Sequence, residues 1–147
     1  MTTLVFPGSF NPFTIGHKSL VERALPLCER LVIAVGQNSE KADSESDAGR
    51  RVEAIRRLFA SEPKIEVLSY EGLTVDLCRR LGADCLLRGV RSVADFEYER
   101  DIADINRRIA GIETLLLFSL PEYSAVSSSM VRELQRYGCD TSPFLPA

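Results

Sequence analysis

The chain contains a single histidine, His17. A His₂ or His₃ metal site within one chain is therefore excluded, and so is any mechanism that needs two imidazoles. Lysine is scarce as well. Lys18, Lys41 and Lys64 are the complete set, and the rest of the 18 cationic residues are arginine. The four cysteines, Cys28, Cys78, Cys85 and Cys139, form no C-x-x-C pair, so zinc and thioredoxin-type readings have no spacing to stand on. Apolar runs such as Leu115-Leu116-Leu117-Phe118 are far too short to span a membrane. The opening MTTLVFPGSF has neither a basic n-region nor a long apolar core, so no signal peptide is expected. These absences predict a cytoplasmic protein with reduced, mostly buried thiols and no membrane partner. A formal charge of -3 offers no basic surface, which argues against a nucleic-acid partner.

What is present fits one domain over residues 1–147, with 45% hydrophobic and 27% charged residues, a globular balance. Short apolar runs alternate with helical patterns. Leu4 to Phe6, Leu31 to Val35, Ile65 to Leu68, Cys85 to Leu87 and Thr114 to Phe118 read as strands. The second is apolar on both faces, as a buried parallel strand should be. Helices are expected over His17 to Leu25, Arg50 to Phe59, Thr74 to Leu81 and Asp95 to Ile109, with a last one from about Ser127 to Gly138. In the third, Thr74 is the expected cap, Val75, Leu77, Cys78 and Leu81 form the apolar face, and Gly82 is the stop. This alternation predicts an α/β fold: a Rossmann-like, doubly wound parallel five-stranded sheet with helices on both faces. Ligands of such sheets bind at the carboxyl ends of the strands, near a switch in strand order.

Three loops at that edge carry chemistry-bearing residues. Pro7 to His17 follows a strand and opens a helix, with Gly8 and Gly16 permitting close backbone approach, Ser9 as a hydroxyl donor and His17 at the helix start. It is neither a Walker A loop nor a G-x-G-x-x-G fingerprint, and a tight turn before a helix-start histidine is its other reading. In Leu87-Arg88-Gly89-Val90-Arg91, two guanidinium forks flank a glycine and suit phosphate oxygens. Ser127-Ser128-Ser129 offers hydroxyls at a helix N-terminus, either as an anion cradle or simply as caps. Glu99 reads as a ligand to a ribose or base, or as an ordinary ion-paired glutamate. Arg107 and Arg108 read as a solvated helix face or a subunit contact.

Taken together, these segments resemble a known family. P-G-S-F-N-P-F-T-I-G-H, from Pro7 to His17, resembles the nucleotidyltransferase signature, and its T-x-G-H form is similar to that of the pantetheine-phosphate adenylyltransferases. The segment R-G-V-R-S-V-A-D-F-E-Y-E, Arg88 to Glu99, and the segment Tyr123 to Glu133 resemble further motifs of the same family. The resemblance runs along almost the whole chain. It implies transfer of AMP from ATP to 4′-phosphopantetheine, giving dephospho-CoA and pyrophosphate with Mg²⁺. It also implies a homohexamer, with coenzyme A as a feedback ligand. Residue by residue, it implies that Ser9 touches both ATP and the pantetheine phosphate and that His17 stabilises the transition state. Lys41, Thr74 and Arg88 would contact phosphopantetheine. Phe10, His17, Gly89, Val90, Arg91, Glu99, Tyr123, Ser124, Ala125, Val126, Ser127, Ser128 and Ser129 would line the ATP site. No protein ligand for the metal is expected, since the phosphates and water would hold it.

The chemistry is compatible with one imidazole. A phosphate monoester with a second pKa of about 6 is already ionised at neutral pH and needs no general base. Catalysis then reduces to positioning and charge stabilisation of an in-line displacement. The chain departs from the family pattern at Asn11, where relatives have aspartate, and in the loop around Lys41. Two other functions fit the same motifs: nucleotidyl transfer to another phosphate, including from a cytidylyl donor, and a nucleotide- or coenzyme A-binding module without turnover.

Overall fold

The computed structural model describes residues 1–37 and 45–147. Five strands alternate with helices: β1 (Thr3–Gly8), α1 (Ile15–Ala24), β2 (Arg30–Gly36), α2 (Glu45–Leu58), β3 (Ile65–Tyr70), α3 (Thr74–Leu81), β4 (Cys85–Val90), α4 (Val93–Ala110), β5 (Glu113–Phe118) and α5 (Ser128–Arg136). The strands form one parallel sheet in the order β3-β2-β1-β4-β5. All five strands predicted from the sequence are found, each extended by one to three residues.

Side chains of β2 alternate between two apolar layers. Leu31, Ile33 and Val35 pack with Leu20, Val21, Val52 and Ile55 from α1 and α2. Val32 and Ala34 pack with Val75, Leu77 and Cys78 from α3 on the other face. Burial on both faces is what the unbroken apolar run demanded. Each fully buried Leu, Ile or Val adds about 1.5–3 kcal/mol relative to exposure.

Two helix boundaries differ from the sequence reading in an informative way. Gly82 does end α3, in the left-handed conformation at φ 65°. Thr74 does not cap it. Leu73 is the cap residue, and the Thr74 hydroxyl instead bonds the Tyr70 hydroxyl at 2.8 Å. A neighbour four residues upstream has taken the oxygen that capping would have used. Helix α4 begins at Val93, two residues before Asp95, because Ser92 is its cap and accepts from the Asp95 N–H at 3.2 Å.

The switch in strand order falls between β1 and β4, whose following helices lie on opposite sides of the sheet. Pairing of β1 with β2 runs through Gly8 and Val35, but pairing of β1 with β4 covers only Leu4–Cys85 and Val5–Leu86. The two central strands therefore part towards their carboxyl ends. Arg88 bridges the gap, its Nη1 donating to the Pro7 carbonyl at 2.6 Å. This opening is the crevice that an open α/β sheet offers to a ligand.

Candidate active site

His17 occupies the third position of α1, where Thr14 is the cap. The Thr14 hydroxyl accepts from the His17 backbone N–H at 3.3 Å, and the Thr14 backbone N–H donates to His17 Nδ1 at 2.9 Å. This is a capping box with histidine in the place usually held by Glu or Gln. A backbone N–H can only donate, so Nδ1 carries the lone pair and Nε2 carries the proton. The box thus fixes both the ring orientation and the tautomer.

Three phenylalanines enclose the ring. Its centroid lies 5.0 Å from Phe10, 5.2 Å from Phe13 and 6.2 Å from Phe6. Phe10 reaches this position from a left-handed backbone, φ 48°, which is sterically unfavourable for a bulky residue and turns its ring inward. Burial, reinforced by the positive charges of Arg88 and Arg91, lowers the His17 pKa from 6.5 to about 4. His17 is therefore neutral across the physiological range and acts as a fixed N–H donor.

Arg88 is held by Glu99 through two hydrogen bonds, Nε to Oε2 at 2.9 Å and Nη2 to Oε1 at 2.6 Å. The glutamate side chain is only 7% exposed, whereas the Arg88 side chain keeps 31% of its surface open. Glu99 is thus ion-paired, and its partner is the arginine aimed into the crevice. Arg91 pairs with Asp95 at 3.2 Å and stays more open.

The serine run divides its tasks. Ser127 caps α5, accepting from the Met130 N–H at 3.1 Å. The Ser128 hydroxyl donates to the Pro12 carbonyl at 2.7 Å, and Ser129 accepts from Arg132 at 3.3 Å. Arg132 also donates to the Asn11 carbonyl at 2.6 Å. The start of α5 is thereby stapled to the β1–α1 loop. The Asn11 side chain is exposed, and only its backbone carbonyl enters this contact. The substitution for aspartate leaves that contact intact.

Two adjoining cavities open over the crevice. One, of about 530 Å³, is lined by Gly36, Gln37, Tyr70, Glu71, Gly72 and Thr74 on one side and by Arg88, Glu99, Ile102, Ala103 and Asn106 on the other. The second, of about 350 Å³, is lined by Phe10, His17, Gly89, Arg91, Tyr123, Val126, Ser127, Ser128, Ser129 and Arg132, among others. Pro7, Gly8, Ser9, Arg88 and Glu99 border both.

The residues implied by resemblance thus divide between the cavities. Thr74 lies in the first. Phe10, His17, Gly89, Arg91, Tyr123 and the three serines lie in the second. Ser9, Arg88 and Glu99 lie between. Phe10 is 3% exposed and faces the imidazole more than the cavity. Val90 is buried in β4, while Ser124 and Ala125 are exposed, and none of the three lines either cavity. Lys41 lies outside the described residues. The sequence reading passed over Tyr70, Ile102, Asn106 and Arg132. For Thr14, the i to i+3 spacing to His17 was the available signal. Among the described residues no group of three or more His, Cys, Asp or Glu side chains is arranged to hold a metal ion.

Residues 5–134 match the cytidylyltransferase-like family model. The chain is 50% identical over 146 residues to the phosphopantetheine adenylyltransferase of Phocaeicola vulgatus, covering 99% of this chain and 96% of that protein. It is 51% identical over 142 residues to the enzyme of that name from Porphyromonas gingivalis W83, covering 97% and 92%. The crystal structure of a putative nicotinate-nucleotide adenylyltransferase from Vibrio parahaemolyticus shares the fold, with a TM-score of 0.66 at 17% identity over 100% of this chain and 95% of that one. A two-cavity crevice at the sheet switch point and near half-identity along almost the full length agree: the chain belongs to the phosphopantetheine adenylyltransferase family of cytidylyltransferase-like nucleotidyltransferases.

Proposed function

We propose that the protein transfers AMP from ATP to 4′-phosphopantetheine, releasing pyrophosphate and dephospho-CoA. One observation supports this reading above the others: two cavities of unlike lining meet at Ser9 and Arg88. The cavity holding His17 and the start of α5 suits ATP, because helix N–H groups, hydroxyls and Arg91 favour a polyphosphate. The larger cavity suits the acceptor, with Arg88 at the junction for its phosphate.

In this reading an oxygen of the acceptor phosphate attacks the α-phosphorus of ATP. The bond from that phosphorus to the bridging α–β oxygen breaks, and its electron pair leaves with pyrophosphate. The attacking phosphate is already ionised, so no group needs to take a proton. His17 Nε2–H donates to a non-bridging α-phosphate oxygen, where charge develops in the transition state. A neutral donor whose other nitrogen is held by the Thr14 N–H has no free lone pair to act as base or nucleophile, which suits transfer without a covalent enzyme intermediate. Arg88 screens the approaching anion, and Glu99 keeps its guanidinium from swinging away. Mg²⁺ belongs to the proposal as an ion held mainly by ATP phosphates and water, where it would neutralise phosphate charge.

The homohexamer that the resemblance implies extends the proposal to self-association. Exposed Val93, Ile105, Ile109 and Phe118 on α4 and β5 are apolar surface that a subunit contact would cover. Among the described residues no helix is long and apolar enough to cross a membrane.

Pyrophosphate release is the direct test, run with ATP or CTP against phosphopantetheine and other phosphate acceptors. ATP with phosphopantetheine is expected to be the active pair. Exclusive turnover of CTP or of another acceptor would overturn the reading, and nucleotide binding without release would favour a module that has lost turnover.

A further inference from the structure

Tyr70 is the last residue of β3 and forms part of the wall of the larger cavity. Its backbone is fixed there: it pairs in register with Gly36, and its carbonyl accepts from the Gln37 N–H at 2.9 Å. Its ring runs over Gly36, close enough that a Cβ at that position would meet the hydroxyl at 3.7 Å. From this seat the phenol reaches Thr74, at the first turn of α3, with 2.8 Å between the two oxygens. This is the bond that removes Thr74 from capping duty. No other hydroxyl pair is formed along this wall among the described hydrogen bonds.

Either oxygen is chemically able to donate, and the surroundings decide which does. The Arg88 guanidinium lines the same cavity as Tyr70 and Thr74. A guanidinium has only donors, so it favours the phenol lone pairs turned towards it and the O–H turned away. Turned away, the O–H would donate to Thr74 Oγ1, 2.8 Å from the phenol oxygen. Burial keeps the phenol protonated, so this donor persists through the physiological range.

Resting on the functional reading above, we propose that Tyr70 is a positioning residue for the acceptor substrate: by donating to Thr74 Oγ1 it commits the Thr74 proton to an oxygen of 4′-phosphopantetheine in the larger cavity. The pair then acts as one relay, Tyr70 to Thr74 to substrate. Only Thr74 touches the ligand. Tyr70 selects the direction of the Thr74 hydroxyl, which would otherwise rotate freely, and so favours an acceptor carrying an oxygen at that point.

The test is a double-mutant cycle on pyrophosphate release, using Tyr70→Phe, Thr74→Val and both together. Tyr70→Phe is expected to raise the KM for phosphopantetheine about fivefold, the scale of one neutral hydrogen bond. The KM for ATP and kcat should stay within about twofold, since ATP uses the other cavity. Thr74→Val should raise the acceptor KM at least as much, and the double variant no further, because the relay is already broken. Thr74→Ser keeps a hydroxyl and should restore the sensitivity to Tyr70→Phe. Full additivity of the two changes, an equal effect on ATP, or an unchanged acceptor KM in Tyr70→Phe would overturn the inference alone. A wild-type protein with no turnover of phosphopantetheine would overturn the functional reading, and this inference with it.

Discussion

Replacing His17 separates its two tasks, holding the start of α1 and donating to the reacting phosphate. In His17→Gln the side-chain carbonyl can still accept from the Thr14 N–H, as in the common capping box. In His17→Ala that N–H loses its partner beside a residue only 1% exposed, at a cost of about 1–3 kcal/mol in stability. His17→Ala loses the Nε2–H outright, whereas the glutamine keeps an amide NH2 that is not locked on a ring. Loss of one such donor corresponds to about 2.7–4 kcal/mol of transition-state stabilisation, or roughly 10²- to 10³-fold in kcat. So kcat should fall by that full factor in the alanine variant and by less in the glutamine one, with smaller changes in KM, while only the alanine variant unfolds markedly earlier. The pH profile sharpens the test. With a pKa of about 4, His17 is protonated in only about one molecule in a thousand at pH 7. The acid limb of kcat/KM for the acceptor therefore belongs to the substrate phosphate, near pH 6, and should survive in His17→Gln. Pyrophosphate release measured from pH 5 to 9 reads both quantities. Disappearance of that limb, or a fall in kcat below about tenfold in His17→Ala, would refute the assignment of His17 as a neutral donor.

Arg88→Ala should weaken phosphopantetheine binding by roughly 10- to 100-fold, the scale of a charge-assisted bond, and ATP binding by less; titration of each ligand separates them. Glu99→Ala leaves a half-buried guanidinium unpaired, so urea unfolding should register a loss of about 3 kcal/mol together with a raised acceptor KM. In Gly8→Ala the new Cβ would sit 2.9 Å from Cζ of Phe10, whose ring packs on His17 at 5.0 Å. Overpacking of about 1–3 kcal/mol is expected, with a loss of kcat as the imidazole shifts. The folded pKa of His17 is below its unfolded value of 6.5, so the unfolded chain binds the extra proton first. Stability from this group is complete above pH 6.5 and falls by at most about 3 kcal/mol as the pH drops to 4. Urea unfolding across that window should show this slope in the wild type and lose its His17 component in His17→Gln.

Much of this architecture was legible in the residues; what was not is which partner a given side chain takes. The strands were found because apolar runs buried on both faces leave little choice of conformation. Gly82 ended α3 as expected, because a left-handed stop is a local property. Thr74 misled because the helix starts one residue early, with Leu73 as its cap, and because its hydroxyl bonds Tyr70 four residues upstream. Resemblance assigned Arg88 and Glu99 to different ligands, and the fold adds that the two are hydrogen-bonded to each other.

The sequence by itself determined the α/β alternation, the parallel sheet, the loops that bear the chemistry and a lone histidine at a helix start. It determined these because hydrophobic periodicity, turns and caps act over a few neighbouring residues. Only the tertiary structure decided which nitrogen of His17 keeps its proton, where Arg88 points and how two cavities share one junction. Arg88 meets Pro7 across 81 positions of chain, and Arg132 meets Asn11 across 121. Such contacts depend on β1 lying beside β4, and strand order is settled by packing of the whole sheet, not by any local run of residues.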